Sequence, residues 1–154
     1  MIKVLFVCLG NICRSPMAEG LFRKRIKDLG LENQIYVGSR ATSSWEVGNK
    51  PHPRTEAILN KYDAYFHDMK SEKIKDEDFR EYDYIIGMDR ENIENLKSIA
   101  GNNQHKIHLY LDVCNKVKGQ EIDDPYYTHK YQETYELISK SVDCWIEVFK
   151  KGIN

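Results

Sequence analysis

Residues 7–16 read Val-Cys-Leu-Gly-Asn-Ile-Cys-Arg-Ser-Pro, so that five residues separate Cys8 from Arg14 and a serine and a proline follow at once. These side chains suit nucleophilic attack on an oxyanion. A free thiol with a pKa of about 8.5 is only slightly ionised at neutral pH, and the thiolate is the nucleophile. A helix N-terminus and a nearby arginine lower a thiol's pKa by about 2–3 units, equivalent to about 3–4 kcal/mol of differential stabilisation. The donors that favour a thiolate also bind phosphate oxygens, and Arg14 adds a planar fork that grips two of them at once.

The flanking segments have the character needed to hold such a loop. Residues 2–7 form an apolar run with one charge near its start, the signature of a buried parallel strand. Ser15 suits a helix N-cap and Pro16 the first helical position. Strand, polar loop with Gly10, and helix opening make an anion cradle, where loop N–H groups and the helix dipole converge. Taken singly, Cys8 is a core cysteine at a strand end, Gly10 a turn, and Ser15-Pro16 a cap. At this spacing, with Arg14 in place, they specify a phosphate site with a sulfur behind it.

Alternating patterns continue through the chain. A helix is expected over 16–29, with Ala18, Leu21, Phe22, Ile26 and Leu29 on one face and Gly30 closing it. A strand over 34–39 follows, then a polar loop over 40–53 with Trp45 in its middle, and a helix over 53–62. Residues 67–79 read as a loop and short helix, 82–88 as a strand, and Asp89 as the cap of the next helix. The last strand is expected over 107–111, a polar connection over 115–123, and a terminal helix over 128–151. That helix carries Tyr131, Tyr135, Ile138, Val142, Trp145 and Phe149 on its core face. The pattern is α/β: a single doubly wound domain over residues 1–154, with a four-stranded parallel sheet flanked by helices on both faces. Its ligand site falls at the carboxyl end of the first strand, where Cys8 lies.

A chain of 154 residues can bury one ordinary core, and its net charge of -1 gives no electrostatic case for nucleic acid or an anionic membrane. No apolar stretch approaches membrane-spanning length and no signal peptide is evident. Cys8, Cys13, Cys114 and Cys144 lie far apart and include no Cys-x-x-Cys pair, and the five histidines are scattered. Free thiols, a cytoplasmic location and no bound metal are therefore expected.

The run over residues 7–16 resembles the active-site loop of the low-molecular-weight protein tyrosine phosphatases. The resemblance extends to Ser-Trp-Glu-Val-Gly over 44–48, Tyr-Ile-Ile-Gly-Met-Asp over 84–89 and Asp-Pro-Tyr-Tyr over 124–127, and covers nearly the whole chain in order. It implies hydrolysis of phosphotyrosine and aryl phosphates through a cysteinyl-phosphate, with Cys8 as nucleophile and Arg14 as phosphate clamp. Leu9, Gly10, Asn11, Ile12, Cys13 and Ser15 would complete the phosphate site. Asp124 would be the general acid and then base, its proton favoured by Asp123 and by bound phosphate. Trp45 would form one wall of the cleft, and Tyr126 and Tyr127 the other. Asn11 would hold the loop through a network with Ser15, Ser39 and a histidine, for which His67 is the best match. Ser15 could also donate a hydrogen bond to the departing sulfur. Loop proximity and the resemblance together suggest that oxidised Cys8 is trapped as a disulfide with Cys13. The expected partners are phosphotyrosine-containing proteins, with inorganic phosphate as product, no cofactor, no nucleic acid or membrane, and a monomeric chain.

Three rivals share parts of this pattern. Arsenate reductases of one type use two further cysteines after the third strand, and residues 82–96 contain none. A protein-arginine phosphatase branch carries threonine where this chain has Ile12. A non-catalytic phosphotyrosine binder would have lost Cys8, Arg14 or Asp124, and all three are present.

Overall fold

A computed structural model describes residues 1–153. Its centre is β1 (Ile2–Cys8), paired in parallel with β2 (Ile35–Ala41) on one side and β3 (Tyr84–Gly87) on the other. β4 (Ile107–Leu109) pairs with β3, so the strand order is β2-β1-β3-β4. A strand flanked on both edges and covered on both faces needs an unbroken apolar run, and Val4, Leu5, Phe6 and Val7 are fully buried.

Alternation along β1 separates two apolar layers. Val4 and Phe6 pack with side chains of α1 (Arg14–Asp28), α2 (Pro53–Lys61) and α6 (Tyr131–Lys150), among them Phe22, Leu59 and Phe149. Leu5 and Val7 face the opposite layer, with Phe79 of α3 (Asp76–Glu81) and Leu96 of α4 (Arg90–Ile99). The chain thus leaves β1 into a helix on one face and leaves β3 into a helix on the other. The crevice between these diverging connections holds the site.

Several boundaries differ from the sequence reading for local reasons. Ser15 does not cap α1: the helix begins at Arg14 with Cys13 as its N-cap, and Pro16 is the third helical residue. The loop closes early because the Met17 N–H donates to the Cys13 carbonyl, which draws Ser15 into the helix. At the other end Gly30 has φ +71°, and its N–H and that of Leu31 donate to the carbonyls of Lys27 and Ile26, a Schellman closure. β4 stops at Leu109, and Tyr110–Val113 turns into 3-10 helix. There the buried Tyr110 hydroxyl donates to the Ile138 carbonyl on α6, and the Trp145 indole donates to the Tyr110 carbonyl. The expected terminal helix is broken by His129, whose φ of 63° is left-handed, leaving short α5 (Pro125–Thr128) before α6. The expected core face of α6 is buried except at Tyr135, which is half-buried and stacks on Tyr62 at 4.0 Å.

The expectation of four free thiols is corrected. Cys8 and Cys13 are free, but Cys114 and Cys144 form a disulfide between the segment after β4 and α6. Thirty residues separate them in sequence, yet α6 packs back along the 3-10 segment through Trp145 and Tyr110, which brings the two sulfurs together. Closing a loop of that length stabilises a fold by about 3–4 kcal/mol on chain-entropy grounds. A Cys114→Ser/Cys144→Ser variant should therefore melt several degrees below the oxidised parent. Adding reductant should lower the parent's Tm toward the variant's and leave the variant unmoved; equal melting with and without reductant would mean that the bridge contributes nothing.

Candidate active site

The loop between β1 and α1 is shaped by where its carbonyls go. Those of Cys8 and Leu9 accept from the N–H groups of Thr42 and Ser43, and that of Ile12 from His52. The Ser71 hydroxyl donates to the Gly10 carbonyl, and Cys13 is engaged by Met17. In a trans peptide the N–H points opposite to the preceding carbonyl. The N–H groups of Leu9, Gly10, Asn11, Cys13 and Arg14 are therefore turned to the loop's inner side, and that of Asn11 donates to the Cys8 sulfur at 3.3 Å. Asn11 takes φ 58°, a left-handed turn that asparagine tolerates better than most residues.

Cys8 is buried at the floor of a cleft lined by Leu9, Gly10, Ile12, Cys13, Trp45, Glu46, Asp124, Tyr126 and Tyr127. Nine of the expected site residues line it, while Asn11, Arg14 and Ser15 are buried outside its lining. Trp45 is 74% exposed, and Tyr126 and Tyr127 are also well exposed. His52, which carried no functional argument in sequence, supports this wall: its ring lies edge-on to Tyr126 and stacked on Tyr131. Glu46 was likewise missed; it sits against Gly10 at the cleft mouth, held by the Asn49 amide.

Arg14 is 1% exposed. Its Nη1 donates to Asp89 Oδ2 at 2.6 Å and to the Ile122 carbonyl at 2.8 Å, while Nη2 lies 3.5 Å from Asp124 Oδ2. Its Nε is buried without an acceptor among the described residues, a free edge of the fork. Burial alone would pull the Arg14 pKa down, but Cys8, Asp124 and Asp89 more than reverse this and raise it. Asp89 does cap α4, as its position after β3 suggests, through a bond from the Asn92 N–H. Its second oxygen serves Arg14, which the sequence gave no sign of.

Asp124 caps α5 through Oδ1, which accepts from the Tyr126 N–H at 3.0 Å. Ser15, displaced from the cap, has its hydroxyl 3.1 Å from the Cys8 sulfur. The Asn11 amide donates to Ser15 at 2.7 Å and to Ser39 at 2.9 Å. The expected histidine is not part of this network: His67 packs its ring on Phe66 and Tyr65. Glu19 occupies the end of the network instead, accepting from the Ser39 hydroxyl at 2.6 Å and pairing with Arg23. It is 8% exposed, and that burial raises its pKa, with the Ser39 bond and Arg23 opposing.

Cys8 and Asp124 thus share one aromatic-walled cleft, with the Arg14 guanidinium packed beside Asp124. Residues 3–154 match the low molecular weight phosphotyrosine protein phosphatase family. The chain is 42% identical, over its whole length and 97% of the relative's, to the low-molecular-weight protein-tyrosine-phosphatase PtpA of Staphylococcus aureus. Among solved structures it superposes on YfkJ from Bacillus subtilis with a TM-score of 0.95 at 40% identity, covering 99% of this chain and 96% of that one. Drosophila arginine phosphatase gives a TM-score of 0.88 at 30% identity, covering 97% and 98%. The chain belongs to the low-molecular-weight protein tyrosine phosphatases and is an enzyme of that family.

Cys13, in the same loop, has its sulfur 3.6 Å from the Tyr131 hydroxyl. Burial pushes its pKa up from 9.0 to about 12, the Tyr131 hydrogen bond opposing, so the fold favours the neutral thiol. The stability this provides is fully present below pH about 9 and is lost as pH rises toward about 12, because the unfolded chain releases the proton first. Tm measured from pH 7 to 11 should therefore fall less steeply for Cys13→Ala than for the parent. Parallel curves would show that this thiol does not contribute.

Proposed function

We propose that residues 1–154 act as one phosphatase domain that hydrolyses phosphotyrosine in proteins, with Cys8 as nucleophile, Arg14 as phosphate clamp and Asp124 as general acid and base. The observation that carries this is that Cys8 and Asp124 line one aromatic-walled cleft, with the buried Arg14 guanidinium 3.5 Å from Asp124. The loop N–H groups and Arg14 hold the phosphate, and the free Nε edge of Arg14 suits a phosphate oxygen. Cys8 attacks phosphorus in line as the bond to the phenol oxygen breaks, and that oxygen takes its electron pair and a proton from Asp124. Asp124, now a carboxylate, takes a proton from water as the water oxygen attacks phosphorus. The S–P bond breaks, its electron pair returns to sulfur, and inorganic phosphate leaves. Ser15 is at a distance to donate to that sulfur.

Trp45, Tyr126 and Tyr127 suit a phenyl ring, and Ile12 offers the cleft no hydroxyl with which to bind a guanidinium. These features favour phosphotyrosine over phosphoarginine as substrate, and a panel of phosphotyrosine, phosphoserine and phosphoarginine peptides tests the preference. We further propose that the enzyme works as a monomer in the cytoplasm, where a reducing milieu keeps Cys8 a thiol. No helix among the described residues is long and apolar enough to cross a membrane. The Cys114–Cys144 bridge is the feature at odds with that milieu, and thiol counting on freshly isolated protein decides: four free thiols mean that the pair is kept reduced in place, as the cytoplasm requires, and two mean an oxidising compartment.

Cys8→Ser should abolish turnover while leaving phosphate binding in place, and substantial residual turnover would remove Cys8 from the mechanism. Asp124→Asn should slow aryl phosphate hydrolysis by about 100-fold or more, as removal of a general acid does. The deficit should shrink for esters whose leaving group needs no proton; an equal loss on every ester would count against the acid role.

A further inference from the structure

Ser15 and Glu19 stand one helical turn apart on α1, at opposite ends of a single chain of hydrogen bonds that runs through β2 and the phosphate loop. We infer that Glu19 is a positioning residue whose carboxylate orders this chain so that the Ser15 proton is left for the Cys8 sulfur. The inference rests on the roles proposed above for Cys8 and Ser15.

The order follows from counting donors and acceptors. The Glu72 backbone N–H, a donor that cannot reverse, gives to Asn11 Oδ1 at 3.1 Å. That fixes the Asn11 amide with its two N–H bonds toward Ser15 and Ser39, at 2.7 and 2.9 Å. Each serine oxygen therefore accepts from Asn11 and must send its own proton elsewhere. Ser39 sends its proton to Glu19 Oε1 at 2.6 Å. Ser15 has two acceptors in reach, the Cys8 sulfur at 3.1 Å and the Arg40 carbonyl at 3.4 Å. Of these the sulfur is the nearer, and once the S–P bond breaks and leaves it a thiolate it is also the stronger, because hydrogen bonds to charged groups exceed neutral ones.

A carboxylate is what this position requires. Glu19 accepts on both sides, from Ser39 at one oxygen and from Arg23 at the other. A glutamine has only one oxygen, and Arg23, which can only donate, would claim it and turn the amide nitrogen toward Ser39. The Ser39 proton would then have no acceptor, or Asn11 would have to turn its amide N–H bonds against the Glu72 N–H. The second result relieves the Ser39 hydroxyl and reaches Ser15: a turned Asn11 offers its oxygen to the Ser15 proton and draws it from the sulfur at the step in which the S–P bond breaks and its electron pair returns to Cys8.

The test uses the full chain with 4-nitrophenyl phosphate in stopped flow, where the burst of 4-nitrophenol reports phosphorylation of Cys8 and the steady state reports hydrolysis of the cysteinyl-phosphate. Glu19→Gln should lower kcat about tenfold, the order expected for one hydrogen bond to a charged group, with burst rate and Tm close to the parent's. Combined with Ser15→Ala it should be no slower than Ser15→Ala alone, since both remove the same donor. Adding Arg23→Met to Glu19→Gln should restore kcat, because the amide is then free to turn its oxygen to Ser39. A parent-like kcat in Glu19→Gln would overturn the inference, as would losses that multiply with Ser15→Ala or fall equally on burst and steady state. Should Glu19→Gln fail to fold, Ser39→Ala breaks the same chain and carries the same expectations. A parent without activity on 4-nitrophenyl phosphate would instead defeat the functional reading itself.

Discussion

Arg14 holds a full positive charge with almost none of its surface in water, and the architecture of the site follows from making that tolerable. Desolvating a guanidinium costs several kcal/mol unless it is paired and its donors are used. Asp89 at 2.6 Å, the Ile122 carbonyl at 2.8 Å and Asp124 at 3.5 Å meet this need from two segments remote in sequence. They can do so because β3 runs beside β1, which sets the residues after Gly87 next to the loop after Cys8. The pairs formed by Arg14 leave its Nε edge free, so the compensation that keeps the charge buried does not consume the whole fork. Removing a single partner would leave the rest of the buried charge unbalanced, which is costlier than never having buried it.

What could be read from the sequence depended on whether a feature is contiguous. Cys8, Gly10, Arg14 and the apolar strand before them sit in one run, so strand, loop, helix and chemistry were all legible there. The sheet and its layers were legible because alternation of strands and helices leaves few topologies. Trp45, Tyr126 and Tyr127 were reached only through the family resemblance, since an aromatic ring in a polar loop has no pattern of its own, yet all three line the cleft with Cys8. Glu19 was read merely as part of a helix, because nothing local shows that Ser39, twenty residues on, brings it a proton. The Cys114–Cys144 pair was misread for the same reason: spacing in sequence says little about two segments that pack through Tyr110 and Trp145. Ser15 was misread only as a cap, since the contact with the sulfur that the resemblance implies is present at 3.1 Å. Its residue type is that of a helix cap, but the early closure of α1 frees its hydroxyl to reach the sulfur.

The segment that delivers Asp124 has almost no regular structure, so its backbone polar groups need partners of other kinds. Arg90 gives its side chain to the Gly119 carbonyl, Asp112 accepts from the Gly119 N–H, and the Arg90 N–H holds the Glu121 carboxylate. Ile122 is fully buried, with its N–H given to the Met88 carbonyl and its own carbonyl taken by Arg14. Two residues later the Asp124 oxygens divide their tasks. Oδ1 accepts the Tyr126 N–H and so fixes the side chain as the cap of α5. Oδ2 is left facing Arg14 across 3.5 Å. The role proposed for Asp124 uses one group first as proton donor and then as acceptor, and an orientation set through Oδ1 leaves Oδ2 to exchange the proton without losing its place.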